Sequence, residues 1–252
     1  MIEIRHLTKV IGSTTVLDDV TMDMPSGRVT GLVGPNGSGK TMLMRAIAGL
    51  MRPTSGEVLV NGVDVWAHAD GRHDLSDDGT SIGLLLEGPA FLDGYTGLRN
   101  LELLASIRGV ASEEDIRAAI SAMGLDPDDR RKYRKYSLGM KQRLGIAAAV
   151  MERPEVVMLD EPTNALDVSG VELAVAQIKA ARDRGATVVM ASHDADLTRS
   201  LCDEVWHLAE GHVDGHEVVT PAGAGDADAD GADASDADGS GGASDKGAGR
   251  EA

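Results

Sequence analysis

Aromatic residues are scarce: two tryptophans, three tyrosines and one phenylalanine, 2% of 252 residues. A core must therefore be assembled from Val, Leu, Ile, Met and Ala. The 42% apolar content is sufficient for that and excludes wholesale disorder. The single cysteine, Cys202, excludes an internal disulfide and a cysteine-cluster metal site, and reads as a small buried filler. No run approaches the ~18–20 apolar residues that cross a bilayer. Met1–Val10 has no basic-then-apolar leader either, so the expectation is a soluble chain made in the cytoplasm. Positive charge is in deficit: 24 Lys and Arg against 41 Asp and Glu leave a net −17, which argues against a general nucleic-acid binder. The length suits one large α/β domain, or one domain with a small subdomain.

The charge is uneven. Residues 221–252 are almost all Ala, Gly, Asp and Ser, with eight acids against two bases. This stretch holds no Val, Leu, Ile or aromatic residue, so it reads as a disordered acidic tail. Upstream, Met1–Arg5 and Val20–Met24 alternate as half-buried strands do, and Val29–Val33 is a short apolar run. Met42–Leu50 is helical, closed by Gly49 and Pro53. Glu57–Val60 with Asn61-Gly62 reads as a strand entering a hairpin turn.

Residues from about 90 to 150 change character. Leu98, Leu101, Leu104, Ala105 and Ile107 share a helical face ending at Gly109. Ser112 and Asp115 form a capping box for a helix carrying Ile116, Ala119, Ile120 and Met123, and a third helix spans Leu138–Met151. Strand–helix alternation then returns: strand Val156–Leu159, helix Val171–Arg184, strand Thr187–Ala191. Alternation of this kind implies a parallel sheet. Val205–Leu208 and Gly211–Val213 read as a closing hairpin.

Gly34-Pro35-Asn36-Gly37-Ser38-Gly39-Lys40-Thr41 fits G-x-x-x-x-G-K-[ST], with an apolar strand before it and a helix after it. Such a loop turns successive backbone N–H groups inward around a polyphosphate, and the helix N-terminus adds partial positive charge. Lys40 is placed for the β- and γ-phosphates and Thr41 for Mg²⁺. Val156–Leu159 ends in Asp160 and Glu161, at the carboxyl end of a strand, where α/β sheets bind ligands. Asp160 is placed to hold Mg²⁺ and Glu161 to polarise a water. On its own an apolar run ending in acids is common. Ser137-Leu138-Gly139-Met140-Lys141-Gln142 opens a helix with a serine cap, which can bind an anion, although taken in isolation an ordinary capped helix is the commoner case.

In this order the three stretches resemble the ATP-binding cassette (ABC) family over about residues 1–215. Gly34–Thr41 resembles its Walker A motif, Ser137–Gln142 its signature, and Asp160 with Glu161 its Walker B pair. Asn164–Asp167 resembles the D-loop and Ser192-His193-Asp194 the switch-histidine loop. The implied fold is an α/β P-loop NTPase core with a mostly parallel sheet, an N-terminal antiparallel β subdomain and an α-helical subdomain. The implied division is 1–86 and 140–220 for the two parts of the ATP-binding core, 87–139 for the helical subdomain and 221–252 for the tail.

The resemblance also implies a mechanism: two cassettes pack head to tail and trap two ATPs, each on one P-loop and against the other copy's Ser137 and Gly139. Glu161 would act on the attacking water. His193 would contact the γ-phosphate and bridge to the partner's D-loop, and Asp167 would belong to the nucleotide-facing set. ATP and Mg²⁺ are the implied cofactors. A separate membrane permease and a second ABC subunit are the implied partners, with the chain peripheral on the inner face of the membrane.

Two departures stand out. Ile11 occupies the place where the family commonly stacks an aromatic on adenine, and Glu87 the place of a common glutamine that meets Mg²⁺ or water. With the signature form, Glu87 resembles the exporter ATPases of bacitracin and lantibiotic resistance. The other readings are a soluble ABC-type ATPase acting on ribosomes or DNA, and a nucleotide-binding regulator. His207, His212 and His216 read as exposed hairpin residues rather than a metal cluster, and Arg130–Lys135 as a solvated basic connection.

Overall fold

The computed structural model describes residues 1–66 and 80–219. The tail expected at 221–252 lies outside the described residues. Strands β1 (Ile2–Ile11) and β2 (Thr14–Met24) pair antiparallel with β4 (Ser55–Val60) and β5 (Val63–Asp64) in the order β2-β1-β4-β5. The second sheet contains β3 (Val29–Val33), β6 (Ile82–Leu85), β7 (Val156–Asp160), β8 (Thr187–Ser192), β9 (Glu204–Ala209) and β10 (His212–Val218), in the order β10-β9-β3-β8-β7-β6. All its pairings are parallel except the β9–β10 hairpin. Helix α1 (Lys40–Ile47) follows β3. Helices α2 (Gly97–Arg108), α3 (Glu113–Ala122) and α4 (Leu138–Val150) fall between β6 and β7, then come α5 (Val168–Asp183) and α6 (Ala195–Leu201).

Alternation along the central strands splits the core in two. Val29, Val157, Leu159, Val188 and Met190 pack with Leu101, Ile120, Leu144 and Ile178 of the helices. Leu32, Val156, Met158, Val189 and Ala191 face the other way, onto α1 and the antiparallel sheet through Leu43, Ile47, Ile2, Ile4 and Val58. Strands buried on both faces are the expected state of a parallel sheet and explain why their sequences lack polar alternation. The few aromatics are concentrated: Phe91 meets Tyr133 edge-on at 5.4 Å, Tyr136 lies 5.9 Å beyond, and the Tyr133 hydroxyl donates to the Pro89 carbonyl at 2.7 Å. Cys202 is buried, and that burial pushes its thiol pKa up to about 12, consistent with a filler.

Caps follow the sequence closely at α3, where Ser112 and Asp115 form the full capping box. At α1 the helix begins two residues before the expected Met42, because Gly39, at φ 105°, turns the chain directly out of the loop. The β1–β2 pairing runs longer than expected because bulges absorb its irregular register, with His6 and Asp19 both at φ 50°.

The approach of α4 to β6 is tight. A Cβ built on Gly83 falls 1.8 Å from the Ala149 carbonyl oxygen. Backbone cannot yield as a flexible side-chain tip does, so Gly83→Ala is expected to destabilise by at least about 1–3 kcal/mol, read as a lower Tm in thermal unfolding.

Candidate active site

The loop between β3 and α1 curls because Gly37 and Gly39 hold φ of 83° and 105°, where a side chain is strained. It forms one wall of a cleft of about 380 Å³ lined by Val16, residues 36–42, Asp160 and Glu161. The Lys40 side chain folds back along the loop, and its ammonium donates to the carbonyls of Gly34 at 2.7 Å and Pro35 at 3.1 Å. Ser38 Oγ is buried with no hydrogen-bond partner among the described residues.

The second wall is the carboxyl end of β7. Thr41 Oγ1 donates to the Asp160 carboxylate at 2.7 Å, so the first turn of α1 is tied to β7. Burial pushes the Asp160 pKa up, opposed by the Thr41 hydrogen bond and reinforced by the neighbouring Glu161. A buried, partly satisfied carboxylate beside a hydroxyl is a hard-oxygen donor set suited to a divalent cation, and the unpartnered Ser38 hydroxyl suits an anion's oxygens. The site thus fits a Mg²⁺–polyphosphate pair. One residue on, Glu161 adopts φ 49° and its carboxylate lies 2.8 Å from His193 Nδ1. The two meet because β7 and β8 are parallel neighbours with Asp160 opposite Ala191, which brings the loops after both strands together.

The remaining expected residues lie as follows. Ser137 is exposed and caps α4 by accepting from the Met140 N–H at 3.2 Å. Gly139 sits against the 164–167 loop: a Cβ there would lie 2.8 Å from the Ala165 carbonyl oxygen. Asp167 caps α5 by accepting from the Gly170 N–H at 3.0 Å and pairs with Arg143, and both contacts hold its pKa below the usual carboxylate value. Ile11 stands 49% exposed at the end of β1, outside the residues lining the cleft, whereas Val16 lines it. Glu87 is engaged by Arg45 at 2.8 Å, one turn along α1 from Thr41. The hairpin histidines are taken up singly: His207 on Glu217, His216 stacked on Trp206 at 3.9 Å. Among the described residues no cluster of three metal-ligating side chains occurs. In the basic connection Arg131 folds onto Asp129 and over the Tyr136 ring.

Gln142, the last residue of the signature stretch, carries no role in the sequence reading; it is buried, and its carboxamide donates to the Glu161 carbonyl at 3.0 Å and the Pro162 carbonyl at 3.2 Å.

A P-loop cleft closed on one side by a strand-end carboxylate pair defines a P-loop nucleotide-hydrolysing protein. Residues 17–164 match the ABC transporter family. The chain is 41% identical over 219 residues to the uncharacterized ABC transporter ATP-binding protein YybJ of Bacillus subtilis, covering 87% of this chain and 97% of that one. It is 37% identical to the bacitracin transport ATP-binding protein BcrA of Enterococcus faecalis, over 84% of this chain and 68% of the relative. It is 34% identical to the lantibiotic transport ATP-binding protein SrtF of Streptococcus pyogenes, over 84% and 89%. Among solved structures, a dimeric ATP-binding cassette in a post-hydrolysis state bound to ADP and Pi superposes with a TM-score of 0.76 at 26% identity, covering 87% of this chain and 99% of that one. The chain belongs to the ABC transporter family and is an ATP-binding, ATP-hydrolysing subunit of it.

Proposed function

We propose that the chain powers a separate membrane permease that exports drug- or peptide-type cargo, acting as one of a pair of cassettes. The Glu161–His193 contact at the mouth of the P-loop cleft supports turnover rather than passive nucleotide binding. The bacitracin and lantibiotic names of two relatives support export. Among the described residues no helix is long and apolar enough to cross a membrane. In this reading a second chain supplies the route and holds this one at the inner face.

In this reading the loop N–H groups and Lys40 bind the triphosphate. Thr41 and Asp160 would hold Mg²⁺, which neutralises phosphate charge when bound. Glu161 accepts a proton from the attacking water, and His193 orients that carboxylate and meets the γ-phosphate. Ser137 and Gly139, on the exposed first turn of α4, close over the phosphates of a second copy. Placing half of the donors on the partner makes turnover wait for closure. Asp167 holds the 164–167 loop in shape for that interface.

The test is co-expression with candidate multi-span permeases, with ATPase activity measured in membranes. A stable complex with cargo-stimulated hydrolysis is the expected result. Failure of every candidate to bind or stimulate would count against transport.

A further inference from the structure

We propose that Gln142 is a positioning residue for Glu161, tying the partner-facing end of α4 to the carboxylate that acts on the chain's own nucleotide. This rests on the reading of Glu161 as the group that accepts a proton from the attacking water.

Gln142 lies in the second turn of α4, one residue before Arg143 and three after Gly139. It is a buried amide in a helix whose other buried residues are apolar or glycine. Such a group is costly to bury without partners. Both its partners are carbonyls, at 3.0 and 3.2 Å, so the end facing them must be the NH₂.

The recipient is unusual backbone. Glu161 sits at φ 49° and Ala165 at φ 63°, conformations that cost non-glycine residues of order 1–3 kcal/mol and persist only when their surroundings impose them. The Glu161 carbonyl accepts twice, from Gln142 and from the Asn164 N–H at 3.2 Å. Rotation of that peptide would swing the Glu161 side chain off its 2.8 Å contact with His193.

Two neighbours extend the same attachment. Gly139 touches Ala165 with no room for a side chain, and Arg143 pairs with Asp167 and reaches Ser169 Oγ at 3.3 Å. The first two turns of α4 therefore grip the 161–167 segment at three points. Whatever shifts Ser137 at one nucleotide is felt by Glu161 at the other, because in a head-to-tail pair these residues serve opposite sites.

The experiment measures steady-state hydrolysis, calorimetric ATP affinity and thermal unfolding on the full-length chain and on its Gln142→Leu, Gln142→Glu and Glu161→Gln variants. Gln142→Leu is expected to lower kcat roughly tenfold to a hundredfold, as a slightly misplaced catalytic group does, with ATP affinity and KM held. Gln142→Glu keeps the shape but, when ionised, points a charge at two carbonyls. Protonated, it donates again. Its activity relative to the parent should therefore rise as pH falls from mildly alkaline to mildly acidic. Parent-like kcat in Gln142→Leu, equal losses in affinity and kcat, or a pH-independent ratio for Gln142→Glu would each overturn the proposal. Normal turnover by Glu161→Gln would instead overturn the reading of Glu161, whatever Gln142 does. If Gln142→Leu fails to fold, the Gln142→Glu ratio alone decides.

Discussion

Glu161→Gln is expected to bind ATP as the parent does and to lose at least a hundredfold to ten-thousandfold in turnover, the range that general-base catalysis supplies. The substitution keeps size and hydrogen-bonding shape, so the contact with His193 Nδ1 and the left-handed backbone of residue 161 both survive. Only the basic oxygen is lost. Removing that negative charge also takes away one of the influences that, after burial, hold the Asp160 pKa up. Bound ATP that cannot be cleaved should hold two copies together, and a dimer should elute in size-exclusion chromatography only with ATP present. Unchanged hydrolysis by this variant would remove Glu161 from the mechanism.

Lys40→Ala is expected to fail earlier, at binding. Lys40 is nearly buried and, among the described residues, its ammonium has no carboxylate partner, being held by the Gly34 and Pro35 carbonyls. Those bonds shape the loop before nucleotide arrives and can be exchanged for phosphate oxygens afterwards. Hydrogen bonds to charged groups contribute about 1.5–3 kcal/mol each, so affinity should fall by roughly tenfold to a hundredfold or more in calorimetry. Thermal stability should change little, because the freed carbonyls lie beside solvent in an open cleft. Parent-like affinity would mean that the phosphates bind elsewhere.

These two residues differ in how visible they are in sequence. Lys40 belongs to eight consecutive residues whose spacing carries its own chemistry, so the loop, the strand before it and the helix after it were legible directly. Glu161 and His193 are 32 residues apart and meet only through the parallel register of β7 and β8, which pattern alone does not provide. The family resemblance implies a separate role for each, and their contact with one another is visible only in the structure. The parallel order of the six-stranded sheet was implied by strand–helix alternation, but the bulged β1–β2 pairing was not, since its irregularities rest on backbone angles at His6 and Asp19. Short α6 was missed because seven residues give too little periodicity. Gln142 was missed as a buried group because a polar residue on a helix normally marks its solvent face. Arg45 was missed as the partner of Glu87 because β6 and α1 are far apart in sequence.

The most direct measurement is the structure of the full chain carrying Glu161→Gln, determined with ATP and Mg²⁺. The expected result is a triphosphate seated in residues 34–41 and covered by Ser137 and Gly139 of a second copy. Nucleotide bound outside that loop, or two copies meeting through a surface that leaves Ser137 in solvent, would contradict it.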